Sequence, residues 1–332
     1  MPGQHKARVE MSHTDPTPNA PCPAPKPNRR SRTGYLWAVG LCLYLVVLWY
    51  VGWHNIRQAL LSFDIRFLAA LMAVEALAVW IRAVKWRMVL GPGQNALGAY
   101  LVSKAAGSLS PARTGELAPL LFKKHRNTRM GAWILVDRLL ETAATLGLGL
   151  LGLVAMQLPR RDMAVVVAVA LVVLVVAPFY ILTRRGLFLW FARRTNEQGI
   201  VHRAATLFAD VSGQVFRLGK KLPAASLITL TATCLDICVS SLAYLGFGYH
   251  VPFALLAVVQ CVHGLVSALP FTPNATGVPY LVAMGLIYEF ADVPAEVLAV
   301  AVAVRTVGAN IVFWTSFGLG SRHLPGREKK TR

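Results

Sequence analysis

The chain has 332 residues, 55% hydrophobic and 15% charged, with a mean hydropathy of +0.52, a balance that excludes an ordinary soluble domain. Its formal net charge of +19 gathers in the N-terminal tail, at 82–87, 123–129 and 184–221, and after Gly320, with apolar runs between these blocks. That alternation is the positive-inside pattern of a membrane protein, and no DNA- or RNA-binding motif accompanies it, so nucleic-acid binding is excluded.

Residues 1–33, rich in Pro, Asn, Thr and basic side chains, read as a disordered basic cytoplasmic tail. A cleavable signal peptide needs its apolar core nearer the start, so the first apolar run reads as a retained transmembrane helix. About 20 apolar residues cross the hydrocarbon core. Tyr35 to Trp53 meets that length, with Trp37, Trp49, Tyr50 and Trp53 as interfacial anchors. Phe67 to Leu90 forms a second span with Glu75 midway, ending in Arg82, Lys85 and Arg87. Those cations set topology, and head-group attraction by Arg82 and Lys85 is the further reading.

Leu97 to Phe122 is too interrupted for a simple span. It is centred on Ser108-Leu-Ser-Pro-Ala-Arg-Thr-Gly-Glu116, contains Lys104, and lies between basic flanks. It reads as a re-entrant hairpin that enters from the cytoplasm and returns there. Ala132 to Gln157 crosses outward and Met163 to Leu182 crosses back, joined by Leu158-Pro-Arg-Arg-Asp162. The cytoplasmic segment 184–222 repeats Val201, Ala204, Phe208, Val211, Val215 and Leu218 at helical spacing. It predicts an amphipathic helix lying on the anionic inner leaflet, with a plain linker helix as the alternative. Ala224 to Tyr249 crosses outward. Pro252 to Phe290 has no Lys or Arg and is broken at Ser267-Ala-Leu-Pro-Phe-Thr-Pro-Asn-Ala-Thr-Gly277, giving an external hairpin. Ala295 to Leu319 returns to the basic cytoplasmic tail 321–332.

The expected architecture is therefore an all-α integral membrane protein. Six transmembrane helices and two opposed re-entrant hairpins form an inverted-topology repeat within 34–320, with half one at 34–157 and half two at 163–320. Ser108-Leu-Ser-Pro111 and Ser267-Ala-Leu-Pro270, each followed by a Thr-Gly pair, add weak internal similarity. Broken segments at matching positions of two halves point to a binding site near the bilayer midplane and so to a transport-type function.

Ionisable residues at membrane depth are costly and face a bundle interior or an aqueous cavity. Arg113 offers a planar fork for phosphate beside the helix break at Pro111, and Glu116 is its counter-ion or that of a head-group amine. The alternative is that the pair only holds the hairpin closed. Asp137, Arg138 and Glu141 open the third span, with Asp137 and Glu141 on one face, either completing a charged cavity or lying at the interface. Arg305 lies mid-span in the last helix, with Asp236 as its expected partner, and a buried structural ion pair is the alternative there. Glu75 is either neutral or coupled to proton movement. His263 reads as a hydrogen-bonded packing residue, and Ala143 with Gly147 as a close helix contact. No metal-ligand spacing involves Cys234 and Cys238, and no Gly-rich loop with a Lys is present, so neither a metal, a cofactor nor direct ATP drive is expected.

Arg82-Ala-Val-Lys-Trp-Arg87, Pro111-Ala-Arg-Thr-Gly-Glu116 and Asp137-Arg-Leu-Leu-Glu141, with Pro270-Phe-Thr-Pro273 and Arg305, resemble the transmembrane region of lysylphosphatidylglycerol synthases and stand-alone flippase-like proteins. The resemblance runs from Tyr35 to Gly320. It implies a stand-alone member without the aminoacyl-transfer domain, multi-pass in a bacterial-type inner membrane, and the loop charges and span count put both termini on the cytoplasmic side. It implies translocation of a polar-headed lipid: an aminoacylated phospholipid, a glycolipid or a hopanoid-type lipid. The alternatives are an integral-membrane lipid-modifying enzyme and a structural subunit of an envelope-lipid synthesis complex, so an envelope-lipid synthesis enzyme is a possible partner. One departure stands out. Such families commonly end the second Gly-rich turn in Glu, whereas Asn274-Ala-Thr-Gly277 is followed here by Val278-Pro279.

Overall fold

The computed structural model describes residues 52–91, 96–108, 116, 128–156, 172–195, 199–268 and 278–321, with isolated helical positions at 46, 49, 165, 166 and 169. Described secondary structure is helical throughout. In chain order come α1 (Trp53–Ser62), α2 (Ile65–Leu90), α3 (Ala96–Ser108) and α4 (Thr128–Ala155). A π turn (Val172–Val176) leads into α5 (Ala177–Thr183), then α6 (Arg185–Arg194) and α7 (Ile200–Leu218). After a 3-10 turn (Gly219–Lys221) follow α8 (Leu222–Leu245), α9 (Phe253–Ala268), α10 (Val278–Ala291) and α11 (Ala295–Ser321).

Local chemistry sets several of these boundaries. The Asp64 side chain accepts from the Arg66 amide at 2.9 Å and starts α2, and Gly91 at φ 92° ends it. The C-terminal carbonyls of α2 are met by cations. Arg129 donates to the Val89 carbonyl at 2.6 Å and Lys221 to that of Met88 at 2.7 Å. Positive charge is favourable at that end of a helix. Pro178 and Pro223 sit in the first turns of α5 and α8, where a missing N–H costs nothing.

Among the described residues, four helices are long and apolar enough to cross a membrane: Ile65–Leu90, Arg129–Ala155, Gly219–Leu245 and Ala295–Gly318. They correspond to the second, third, fifth and sixth expected spans. Most of the first span, the first part of the fourth, and the turns of both hairpins lie outside the described residues. The helices flanking those turns are short: α3 has 13 residues, α9 has 16 and α10 has 14.

The two largest of four apolar cores among the described residues organise the bundle. The first joins Trp86 and Val89 of α2, Met130 and Trp133 of α4, Val215 of α7 and Ala225 of α8. The second joins Leu71 of α2, Ile237 of α8, Leu255 of α9, Ile287 of α10 and Leu298 of α11. Along α2, α8 and α11 the two cores occupy different stretches of the same helix. Polar residues fall between them.

The segment 184–222 departs from its expected role. It holds two helices, and Val211, Val215 and Leu218 of α7 are buried in the first core rather than turned to a lipid surface. Phe208 stacks on Phe188 of α6, with ring centroids 5.5 Å apart. Apolar side chains facing outward here come from both helices: Leu187, Trp190 and Phe191 of α6 and Val201 and Phe208 of α7 are exposed, and Arg194 lies over the Trp190 ring.

Candidate functional site

The polar stretches between the two cores enclose a cavity of about 650 Å³. Its walls come from α2, α3 and α4 of the first half and from α8, α9, α10 and α11 of the second, together with Glu116. Eight ionisable Asp, Glu, Lys and Arg side chains line it among the described residues. Glu75 and Arg82 come from α2, Lys104 from α3, and Arg138 and Glu141 from α4. Asp236 and Arg305 face them from α8 and α11. The four carboxylates and four cations therefore meet at a junction that neither half could form alone.

First-half charges form a network. Lys104 Nζ donates to both carboxylate oxygens of Glu141, each at 2.8 Å, and lies 3.8 Å from Glu116 Oε1. Arg138 pairs with Glu116 and reaches Glu141 at 3.5 Å. Local sequence builds room for this. Ser103 donates to the Glu116 carbonyl at 2.7 Å, and a Cβ on Gly107 would press into the Glu116 side chain, 3.0 Å from Oε1. A glycine one turn after Ser103 thus seats the carboxylate against α3. Four charges linked by these contacts compensate one another inside the bundle, as partly buried ions must.

Across the cavity Arg82 pairs with Asp236, joining the halves. The sequence expectation had given Asp236 to Arg305. Arg82 takes it instead, because α2 and α8 pack side by side along their length while Arg305 faces Gln260, to which it donates at 3.4 Å. Among the described residues, no carboxylate lies within ion-pair distance of Arg305. Neutral groups share its side of the cavity. The Thr306 hydroxyl and the Tyr280 hydroxyl are 3.4 Å apart, and the His263 ring lies 5.0 Å from that of Tyr280.

Lys85 and Asp137 lie outside the cavity. Lys85 is 0% and Asp137 2% exposed, and they pair with each other. Lys85 also donates to Thr229 Oγ1 at 3.0 Å, and Trp86 Nε1 donates to Asp137 Oδ2 at 2.8 Å. The i,i+4 relation with Glu141 held in sequence, but it does not bring both acids to one wall: Glu141 lines the cavity, while Asp137 is sealed in the first core's layer. Lys85 is likewise withdrawn from any surface where it would draw head groups.

Of the other expected site residues, Arg113 lies outside the described residues, whereas Glu116, Arg138, Glu141, Asp236 and Arg305 converge on the cavity. Lys104, Gln260 and Tyr280 were not marked as site residues. Lys104 carried a readable signal, a single cation inside an apolar run, while Gln260 and Tyr280 carried none. Among the described residues, no group of three or more His, Cys, Asp or Glu side chains is placed to hold a metal ion.

The family described as the lysylphosphatidylglycerol synthase TM region matches residues 37–316. The chain is also similar to the UPF0104 membrane protein PH1989 of Pyrococcus horikoshii, at 23% identity over 316 residues, covering 85% of this chain and 93% of that protein. No solved structure matches.

Proposed function

Because the chain belongs to the family of the lysylphosphatidylglycerol synthase transmembrane region, we propose that it is a lipid translocator that moves a polar-headed membrane lipid between leaflets. The observation that carries this reading is the ion-lined cavity of about 650 Å³ between two apolar cores, with walls from both halves. A head group needs a polar shelter at mid-depth, and a cavity at the junction of two halves can open to either side as one half rocks against the other.

Within this reading Arg305 is the anchor for a head-group phosphate. Its guanidinium has five donors, and Gln260 occupies only part of that fork. Arg113 of the first hairpin adds a second phosphate-binding cation in the same scheme. Glu116, Arg138 and Glu141 shape the opposite wall, and the tail of the lipid remains in the hydrocarbon. The substrate classes are an aminoacylated phospholipid, a glycolipid or a hopanoid-type lipid. The location is a bacterial-type cell membrane with both termini cytoplasmic, beside an enzyme of envelope-lipid synthesis.

Mass spectrometry of lipids retained by the protein in native nanodiscs tests the reading. The expected result is one lipid class enriched at least about tenfold over the surrounding bilayer, a margin of about 1.4 kcal/mol. That enrichment is lost in Arg305→Gln while Arg305→Lys keeps part of it. A bilayer-like lipid profile for the folded wild-type protein overturns the head-group site.

A further inference from the structure

Three of the four cavity acids are held. Glu116 pairs with Arg138, Glu141 is bracketed by Lys104, and Asp236 is held by Arg82. Glu75 is the exception. It lines the cavity near the middle of α2 and makes no hydrogen bond or ion pair with a described residue.

Charged and titratable groups surround it from every helix packed on α2. Arg82 lies two turns along α2 itself, Asp236 faces it from α8 and Arg305 from α11. Tyr100 and Lys104 come from α3 and Glu141 from α4, but Lys104 and Glu141 are engaged with each other. Neither protonation state is locked by a fixed partner. A proton can be gained or lost here without breaking an ion pair, which holds for none of the other three acids.

The placement across the halves gives this acid a lever. Arg82 travels with Glu75 on α2, whereas Asp236 and Arg305 belong to the other half. Rocking one half against the other therefore changes the distance from Glu75 to one opposing anion and one opposing cation. Its proton affinity must change with the conformation, and by reciprocity its protonation must bias the conformation.

We propose that Glu75 is a proton-exchange site that couples translocation to a transmembrane proton gradient. In each cycle one proton passes from water on one side to a Glu75 carboxylate oxygen, and the same proton returns to water on the other side. No other bond forms or breaks. The coupling rests on the translocator reading, whereas the proton site is a property of the cavity alone.

Two measurements separate these. Infrared difference spectra between acidic and alkaline pH, on the full chain in nanodiscs, are expected to show a protonated-carboxyl band that is missing in Glu75→Gln and shifted in Glu75→Asp. In parallel, vesicles of phosphatidylethanolamine and phosphatidylglycerol report transfer of a fluorescent aminoacylated phosphatidylglycerol by loss of its signal to an outside quencher. With a tenfold proton gradient the wild-type rate is expected to change at least about threefold, and the ratio to fall to one in Glu75→Gln. Transfer that ignores the gradient in the wild type overturns the coupling, and an infrared band that survives in Glu75→Gln overturns the proton site. Absence of transfer in the wild type with the Glu75 band present overturns the translocator reading and leaves the proton site standing. Should Glu75→Gln elute as aggregate, Glu75→Asp carries the test. Its protonated-carboxyl band moves from the wild-type position if the proposal holds, and stays at that position if it fails.

Discussion

Lys85 is an ammonium with no exposed surface, and its environment explains why it survives there. Asp137 neutralises it, Thr229 accepts a second hydrogen bond, and Trp86 satisfies the other carboxylate oxygen. Removing one partner leaves the other charge buried and alone, at a cost of about 3–5 kcal/mol. Lys85→Met and Asp137→Asn are each expected to unfold at lower denaturant, while Lys85→Met with Asp137→Leu recovers much of the loss. Unfolding curves for the three variants in mild detergent check this, and an additive double variant would refute the pairing. Sequence marked both residues but could not pair them. Lys85 stood in a basic cluster that looked like a topology signal, and only the rotation of α2 distinguishes Arg82, facing the cavity, from Lys85, facing α4. For the same reason Asp236 was assigned to Arg305. Asp236 and Arg305, from one half, look like partners until α2 of the other half supplies Arg82.

At the level of elements, the long apolar runs were legible to within a few residues, because membrane spans are set by length and by caps. Phe67 was the expected start of the second span, and the Asp64 cap moves it to Ile65. The segment 184–222 was less legible. Its apolar stripe was real, but periodicity shows only that one face wants cover, not whether lipid or protein provides it. Here α4 and α6 cover α7. The join between α4 and α9 shows a tighter demand. A Cβ on Gly152 would lie 2.5 Å from the Ala254 carbonyl oxygen, and one on Gly149 would collide with Cys261. These glycines let helices of the two halves approach at backbone distance. Gly152→Val is expected to cost about 1–3 kcal/mol by overpacking. It should lower the temperature at which the protein leaves the monodisperse peak in size-exclusion chromatography. Gly147→Val, where a Cβ meets nothing within 4 Å, should not.

For the whole molecule, the arrangement of apolar core, ion-lined cavity and apolar core along shared helices has an electrical consequence. Each core is an insulator, and the cavity between them, lined by eight ionisable groups, is a polarisable layer. Two insulators in series divide an applied voltage. In the translocator reading, a cavity open to one face takes on that face's potential, and nearly the whole voltage falls across the core still closed. A net charge carried past that core then feels about 2.3 kcal/mol per 100 mV, although it travels only part of the bilayer's thickness. A potassium diffusion potential imposed on vesicles holding Glu75→Gln, in which no proton accompanies the lipid, should therefore change the transfer rate of a lipid whose head group carries net charge. It should leave that of a net-neutral lipid nearly constant there, whereas in the wild type the Glu75 proton makes the neutral lipid's transfer respond to voltage too. On that reading the thickness that matters electrically is that of one core, and the closed core becomes the place where the cell's membrane potential does its mechanical work.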